Sequence, residues 1–211
     1  MRFASFFVLA AVVSLVGCAA STEDAAPAEA SSEELVSNPP SKECGAVARK
    51  AVAAVEQVNG AKVKISRVEL VDGFSDRELI RVTVKRNGEK DSDLVNTESM
   101  GGSPCWAYGL QRKSQEIDLR DQGKTINTPS NECGAVAKAA VNALEKANGH
   151  TVSIQKTELA DGFSDRELVR VRFGNAKESD SYLVNTESMG GSPCYVYGLQ
   201  VKSQEISLLE E

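Results

Sequence analysis

The chain repeats itself. A shift of 89 residues lays 38–119 over 127–208 without a gap, and from the first cysteine of each copy onward about two-thirds of positions are identical. The shared blocks include CGAVA, DGFSDREL, LVNTESMGGSPC and KSQEI. Two units of this length are too few for a solenoid and long enough to enclose a core. The chain therefore divides into a copy at 38–119, a polar joint at 120–126 containing Gly123, and a second copy at 127–211.

Each copy opens with a helical pattern. Ser41 and Ser130 suit the N-cap, and Glu43 and Glu132 follow in the first turn, where the helix dipole favours a carboxylate. Apolar residues then recur at Cys44, Val47, Ala48, Ala51, Val55 and Val58, and at Cys133, Val136, Ala137, Ala140, Leu144 and Ala147. Asn59-Gly60 and Asn148-Gly149 mark the stops. Strand patterns follow. Val63 and Ile65 alternate before the phase flips to Val68 and Leu70, which implies a bulge. Ile80, Val82 and Val84 form a second strand, Leu94-Val95 a short third, and 105–119 a long fourth. The expected fold class is α+β: two tandem homologous domains, each one helix packed on a four-stranded antiparallel sheet.

Cysteine arithmetic supports this unit. Five cysteines leave one unexplained in an exported protein. Pairing Cys44 with Cys105 and Cys133 with Cys194 is the connectivity that treats both copies alike and lets each fold alone. Each bridge would close a loop of about 60 residues, worth roughly 4 kcal/mol in the chain-entropy model.

The fifth cysteine is Cys18. Residues 1–17 carry Arg2 and then an apolar run from Phe3 to Val16, which suits a signal peptide and is short for a membrane span. The run ends Leu15-Val16-Gly17-Cys18, which resembles the lipobox of bacterial lipoproteins; the alternative is an ordinary signal peptide cut near Ala20. The resemblance implies lipidation of Cys18, cleavage before it and attachment to the membrane through its acyl chains. Ala19 at the next position implies the outer membrane. Residues 18–37 then hold Glu23, Asp24, Glu29, Glu33 and Glu34, no basic residue, and much Ala and Ser, with Pro27. That composition reads as a disordered acidic tether with an r.m.s. span of roughly 25 Å. With Arg2 and those five acids set aside, 23 basic residues meet 25 acidic ones. No basic tract stands out, which argues against nucleic acid as a partner.

The chemistry-bearing residues are few. The one histidine, His150, has Ala61 as its counterpart, so the first copy can hold no Ser-His-Asp or Cys-His arrangement. No Gly-rich phosphate loop precedes a helix. The expected protein is not an enzyme and uses no cofactor. Asp72 and Asp76, with Asp161 and Asp165 in the second copy, make an oxygen-rich loop. It could hold calcium, although a turn between strands explains it as well. In the last strand, Cys105, Ala107 and Gly109 should face the helix, leaving Trp106, Tyr108 and Leu110 on the other side. Tyr195, Tyr197 and Leu199 repeat this. The aromatic residues Trp106, Tyr108, Tyr195 and Tyr197 are candidates to bury against each other or against a partner; the alternative is that the turn breaks the parity and they are ordinary core.

One helix followed by four antiparallel strands resembles the cystatin-like topology in element order. The Gln-x-Val-x-Gly hairpin of cystatin inhibitors has no counterpart: Gln57-Val58-Asn59-Gly60 lacks the spacing. The functional expectation is a lipid-anchored envelope lipoprotein whose repeats bind or scaffold an envelope or extracellular protein. The alternatives are an inhibitor of a peptidase or other secreted enzyme, and a calcium-binding module.

Overall fold

The computed structural model describes residues 38–74, 76–99, 104–113, 128–163, 165–174, 179–188 and 193–204. Cys18, the tether and the joint at 120–126 lie outside them. The first copy supplies helix α1 (Lys42–Val58) and strands β1 (Val63–Phe74), β2 (Arg77–Arg86), β3 (Glu89–Glu98) and β4 (Trp106–Arg112). The second supplies α2 (Asn131–Ala147), β5 (Ile154–Phe163), β6 (Arg166–Gly174), β7 (Ser179–Glu187) and β8 (Tyr195–Val201). The helices begin and end on the expected residues. Ser41 and Ser130 accept from the amides of Cys44 and Cys133, and Gly60 and Gly149 adopt φ of 71° and 83° just beyond the helices.

The expectation of two separate domains is overturned. All eight strands form one antiparallel sheet in the order β1-β2-β3-β4-β8-β7-β6-β5, and Val36–Glu211 is a single compact unit. The reason lies in the last strand of each copy. In a four-stranded unit β4 would end the sheet with unpaired backbone groups along an apolar strand. Here that edge meets its counterpart: Gly109 pairs with Gln200, Leu110 with Leu199, and Gln111 with Gly198. The helices touch one another, and one core runs through both copies from Val52, Val82 and Val95 to Val141, Val171 and Val184.

Two side chains lock this junction. Where β4 and β8 diverge, Asn148 at the end of α2 donates to the Ala107 carbonyl and accepts from the Ala107 amide, both at 2.8 Å. Asn59 at the end of α1 does the same to Val196, at 2.7 and 2.8 Å. An asparagine amide thus stands in for a neighbouring strand and satisfies backbone groups that would otherwise be buried unpaired. Both disulfides form as expected, Cys44–Cys105 and Cys133–Cys194, tying each helix start to the start of its own last strand.

The strand expectations hold in part. The phase flip in β1 is a register shift between Ile65 and Arg67, but a second shift follows between Leu70 and Asp72, and β5 repeats both. Strand β3 is not short: it runs ten residues from Glu89, and Asp91 and Asp93 in its polar half pair with Arg86 of β2. Strand β4 ends at Arg112. Residues 114–119 of the long strand expected there lie outside the described residues.

Candidate interaction face

Both helices pack on one side of the sheet, here called the inner face. Cross-strand partners share a face, so the register places the rest. Ile80, Val95 and Leu110 form one row and belong to the helix-covered core. Arg77, Glu98 and Trp106 form another row, on the outer face, and Arg166, Glu187 and Tyr195 repeat it in the second copy.

These outer rows have layered charge. Glu98 and Glu187 are buried, whereas the arginine side chains above them are 44% and 49% exposed, with N···O distances of 3.5 and 3.8 Å. The carboxylates are hidden and the guanidinium groups presented. Trp106 and Tyr195 are half-buried beside them, and the Tyr195 hydroxyl donates to Glu187 at 2.9 Å. Tyr108 lies 5.3 Å from Trp106, and Tyr197 lies 6.1 Å from Tyr195, between ring centroids. Burial raises the pKa of both buried tyrosines, Tyr197 to about 12, so each keeps its proton at neutral pH. Each cluster therefore offers planar, weakly hydrated groups that lose little entropy on contact.

The alternation argument for the last strand holds for part of its length. Cys105 is bonded to α1, and Trp106 lies in the outer row, as expected. Tyr108 and Tyr197 are buried rather than wet. A register shift at Asn96/Thr97 makes Tyr108 an extra residue in β4, and Asn185/Thr186 repeats it opposite Tyr197. Beyond the bulge the parity reverses. Gly109 lies over Asn96 on the outer face, and Leu110 and Leu199 enter the core.

The acidic loops have structural work. Asp72 and Asp161 accept from the amides of Gly73 and Gly162, both at 2.8 Å. The carbonyls of Asp76 and Asp165 accept from the amides of Ser99 and Ser188. Glu78 and Glu167 accept from the amides of Ser41 and Ser130, tying β2 and β6 to the helix starts. These contacts give the Asp72, Asp161, Glu78 and Glu167 side chains a structural role. Among the described residues no three acidic, histidine or cysteine side chains converge as a metal site needs.

Between the aromatic clusters runs a band that the sequence reading missed. Asn96, Gln111, Asn185 and Gln200 are all buried, and they surround Gly109 and Gly198 at the centre of the sheet. A side chain at Gly109 would meet Asn96 at 3.6 Å and Gln200 at 3.7 Å. The Asn96 Nδ2 is buried without a hydrogen-bond partner. Recurrence of all three residue types in both copies was the available signal. They sit in blocks that duplication alone explained.

The inner face carries the main divergence between copies. In the first, the Arg86 guanidinium contacts Glu56, Asp91 and Asp93, and Arg112 reaches Glu56 at 2.9 Å. In the second, Tyr182 replaces Asp93 and donates to Glu145, Val201 replaces Arg112, and His150 lies 3.2 Å from Glu145. Burial outweighs attraction by Arg86 and raises Asp93 to about 6, with Glu56 adding repulsion and Arg112 opposing it. Folding therefore favours the protonated form. This contribution is fully present below the unfolded value near 4 and is lost as pH rises through 6, to roughly 3 kcal/mol. Asp93→Asn is expected to flatten that part of the stability curve between pH 4 and 7, measured by urea unfolding. An unchanged slope would refute the assignment.

Comparison with family models, with curated proteins and with solved structures finds no match to this chain. Among the described residues no helix is long and apolar enough to cross a membrane.

Proposed function

We propose that this chain is a non-enzymatic, lipid-anchored binding module of the bacterial cell envelope. Cys18 attaches it to the outer membrane, and the outer face of the sheet takes a protein partner. The observation that carries the reading is the duplicated cluster on that face. Arg77 and Trp106, with Arg166 and Tyr195, pair exposed arginines with half-buried aromatic rings, each ring backed by a buried tyrosine, Tyr108 or Tyr197. Arginine and aromatic residues dominate the energetic centres of protein interfaces. The helices occupy the inner face, and on the outer one the groups within a partner's reach are the exposed Arg77 and Arg166 with the half-buried Trp106 and Tyr195.

The test is crosslinking capture from envelope membranes with the full lipidated chain, beside the double variant Arg77→Ala/Arg166→Ala. Two lost anchors at about 2 kcal/mol each should cut recovery of a specific partner by well over tenfold. Arg77→Lys/Arg166→Lys, which keeps charge without a planar fork, should recover only part. A partner captured equally by all three proteins would sink the reading, as would none above background. Thermal melts of each variant separate lost recognition from lost folding.

The anchor is tested separately. Cys18→Ser is expected to abolish incorporation of labelled fatty acid and to release the chain from sedimenting membranes. Persistent labelling would refute Cys18 as the acceptor.

A further inference from the structure

The junction between the copies has an internal symmetry with consequences for assembly. The shift that relates the copies turns Gly109 into Gly198, Leu110 into Leu199 and Gln111 into Gln200. These are the three residue pairs that join β4 to β8, so the pairing maps onto itself. Leu110 faces its own equivalent, and a pseudo-two-fold axis passes between them.

The asparagine clamps and the buried helix residues obey the same rule. Asn59 clamps Val196 and Asn148 clamps Ala107 through backbone atoms alone, so the change from alanine to valine does not affect the clamp. The axis is also alike in residue type, with glycine in both copies; a Cβ on Gly198 would stand 3.6 Å from the Leu110 carbonyl, at ordinary van der Waals contact. On the helices the buried residues Ala48, Ala51 and Val52 correspond to Ala137, Ala140 and Val141, and only Val55, facing Leu144 in the alignment, differs in size.

We propose that this junction is self-complementary, so that each copy accepts a second copy of itself from another chain in place of its sister. The surface is isologous, the type that builds two-fold dimers. Within one chain the short connection gives the sister copy an effective concentration in the millimolar range, which keeps dilute chains closed. At high density the same surface joins chains: first copy to first copy, then second to second, in an open row.

The copies differ in how well they would pair with themselves. The Arg112 guanidinium lies 5.5 Å from the Tyr195 ring centre. Trp106 is the counterpart of Tyr195, and Val201 that of Arg112. A pair of first copies would hold two arginine–tryptophan contacts, the closed chain holds one cation–π contact, and a pair of second copies would hold none. The first copy should therefore self-associate on the order of tenfold more tightly than the second.

The experiment starts from the intact, oxidised chain with a specific protease site placed in the connection between Lys113 and Thr128. After cleavage, native mass spectrometry should find the halves still associated one to one. Prolonged incubation near the melting midpoint, followed by cooling, should produce pairs of first copies in clear excess over pairs of second copies. Arg112→Val in the same protein should remove that excess. Halves that separate on cleavage would overturn the proposal, because the junction would then not hold unaided. Re-formation of the mixed pair alone would overturn it too, because the junction would then be copy-specific. Circular dichroism of the cleaved protein, and recovery of its signal on cooling, distinguishes these results from failure to refold.

Discussion

Leu199→Asp should collapse both copies in one transition, although the change lies in the second. Leu199 is fully buried, pairs with Leu110 across the junction and with Val184 on β7. A carboxylate there has no cation beside it in this row. Burying it unpaired costs several kcal/mol, as does the lost leucine packing. Whole domains are stable by only about 5–15 kcal/mol, so most of the folding free energy would go. Trp106 is the one tryptophan in the chain, and it belongs to the first copy. Its fluorescence therefore reports a transition in the copy that was not altered. The midpoint from Trp106 should fall together with that from far-ultraviolet circular dichroism. A Trp106 transition left at the wild-type midpoint would mean that the copies fold independently, contrary to the shared core.

The second large effect concerns the disulfides. Removing one bridge, as in Cys44→Ala/Cys105→Ala, frees a loop spanning 61 residues, which costs roughly 4 kcal/mol. For a body of this size that lowers the melting temperature by roughly 10 °C. The matching variant Cys133→Ala/Cys194→Ala opens a loop of the same span, so the two should melt close together. Because the core is continuous, either variant should lower the stability of both copies. Differential scanning calorimetry would show a single shifted peak. Two peaks, one at the original temperature, would argue against coupling.

Local structure was legible where side chains cap, stop or alternate. The serine caps, the Asn-Gly stops and the disulfide pairs follow from positions that repeat in both copies. The joining of the sheets was less visible, though β4 held a clue. Ala107, Tyr108 and Leu110 make an apolar stretch that suits a strand buried on both faces, hence a central one, yet alternation alone placed it at the end of a small sheet. The bulge at Tyr108 then reversed the parity of Gly109 and Leu110; Gly109 and Gly198, which stand beside the two bulges, were the available signal, because glycine inside a strand marks such irregularities. Strand β3 was underestimated because its charged half reads as loop until Arg86, on the neighbouring strand, supplies the partner for Asp91 and Asp93. The outer amide band was hidden for a related reason. Asn96 and Gln111 look like ordinary surface residues until the register sets them beside Gly109 and Gly198.

The register shifts in β1 and β5 have a consequence for how molecules of this protein meet at high concentration. These are the two edge strands of the sheet, and in each the shifts leave no more than four residues in unbroken register. Near one shift the β1 edge is also covered, where the Leu70 amide donates to the Asn38 carbonyl at 2.9 Å. A straight, unbroken edge would be a template on which a neighbouring molecule could add strands without limit, the first step towards fibrous aggregates. Interrupting the ladder twice on each side denies a newcomer a continuous run of donors and acceptors. Removing both irregularities from β1, by deleting Ser66 and Val71, would trade that protection for a smoother sheet and should leave the protein markedly more prone to aggregate.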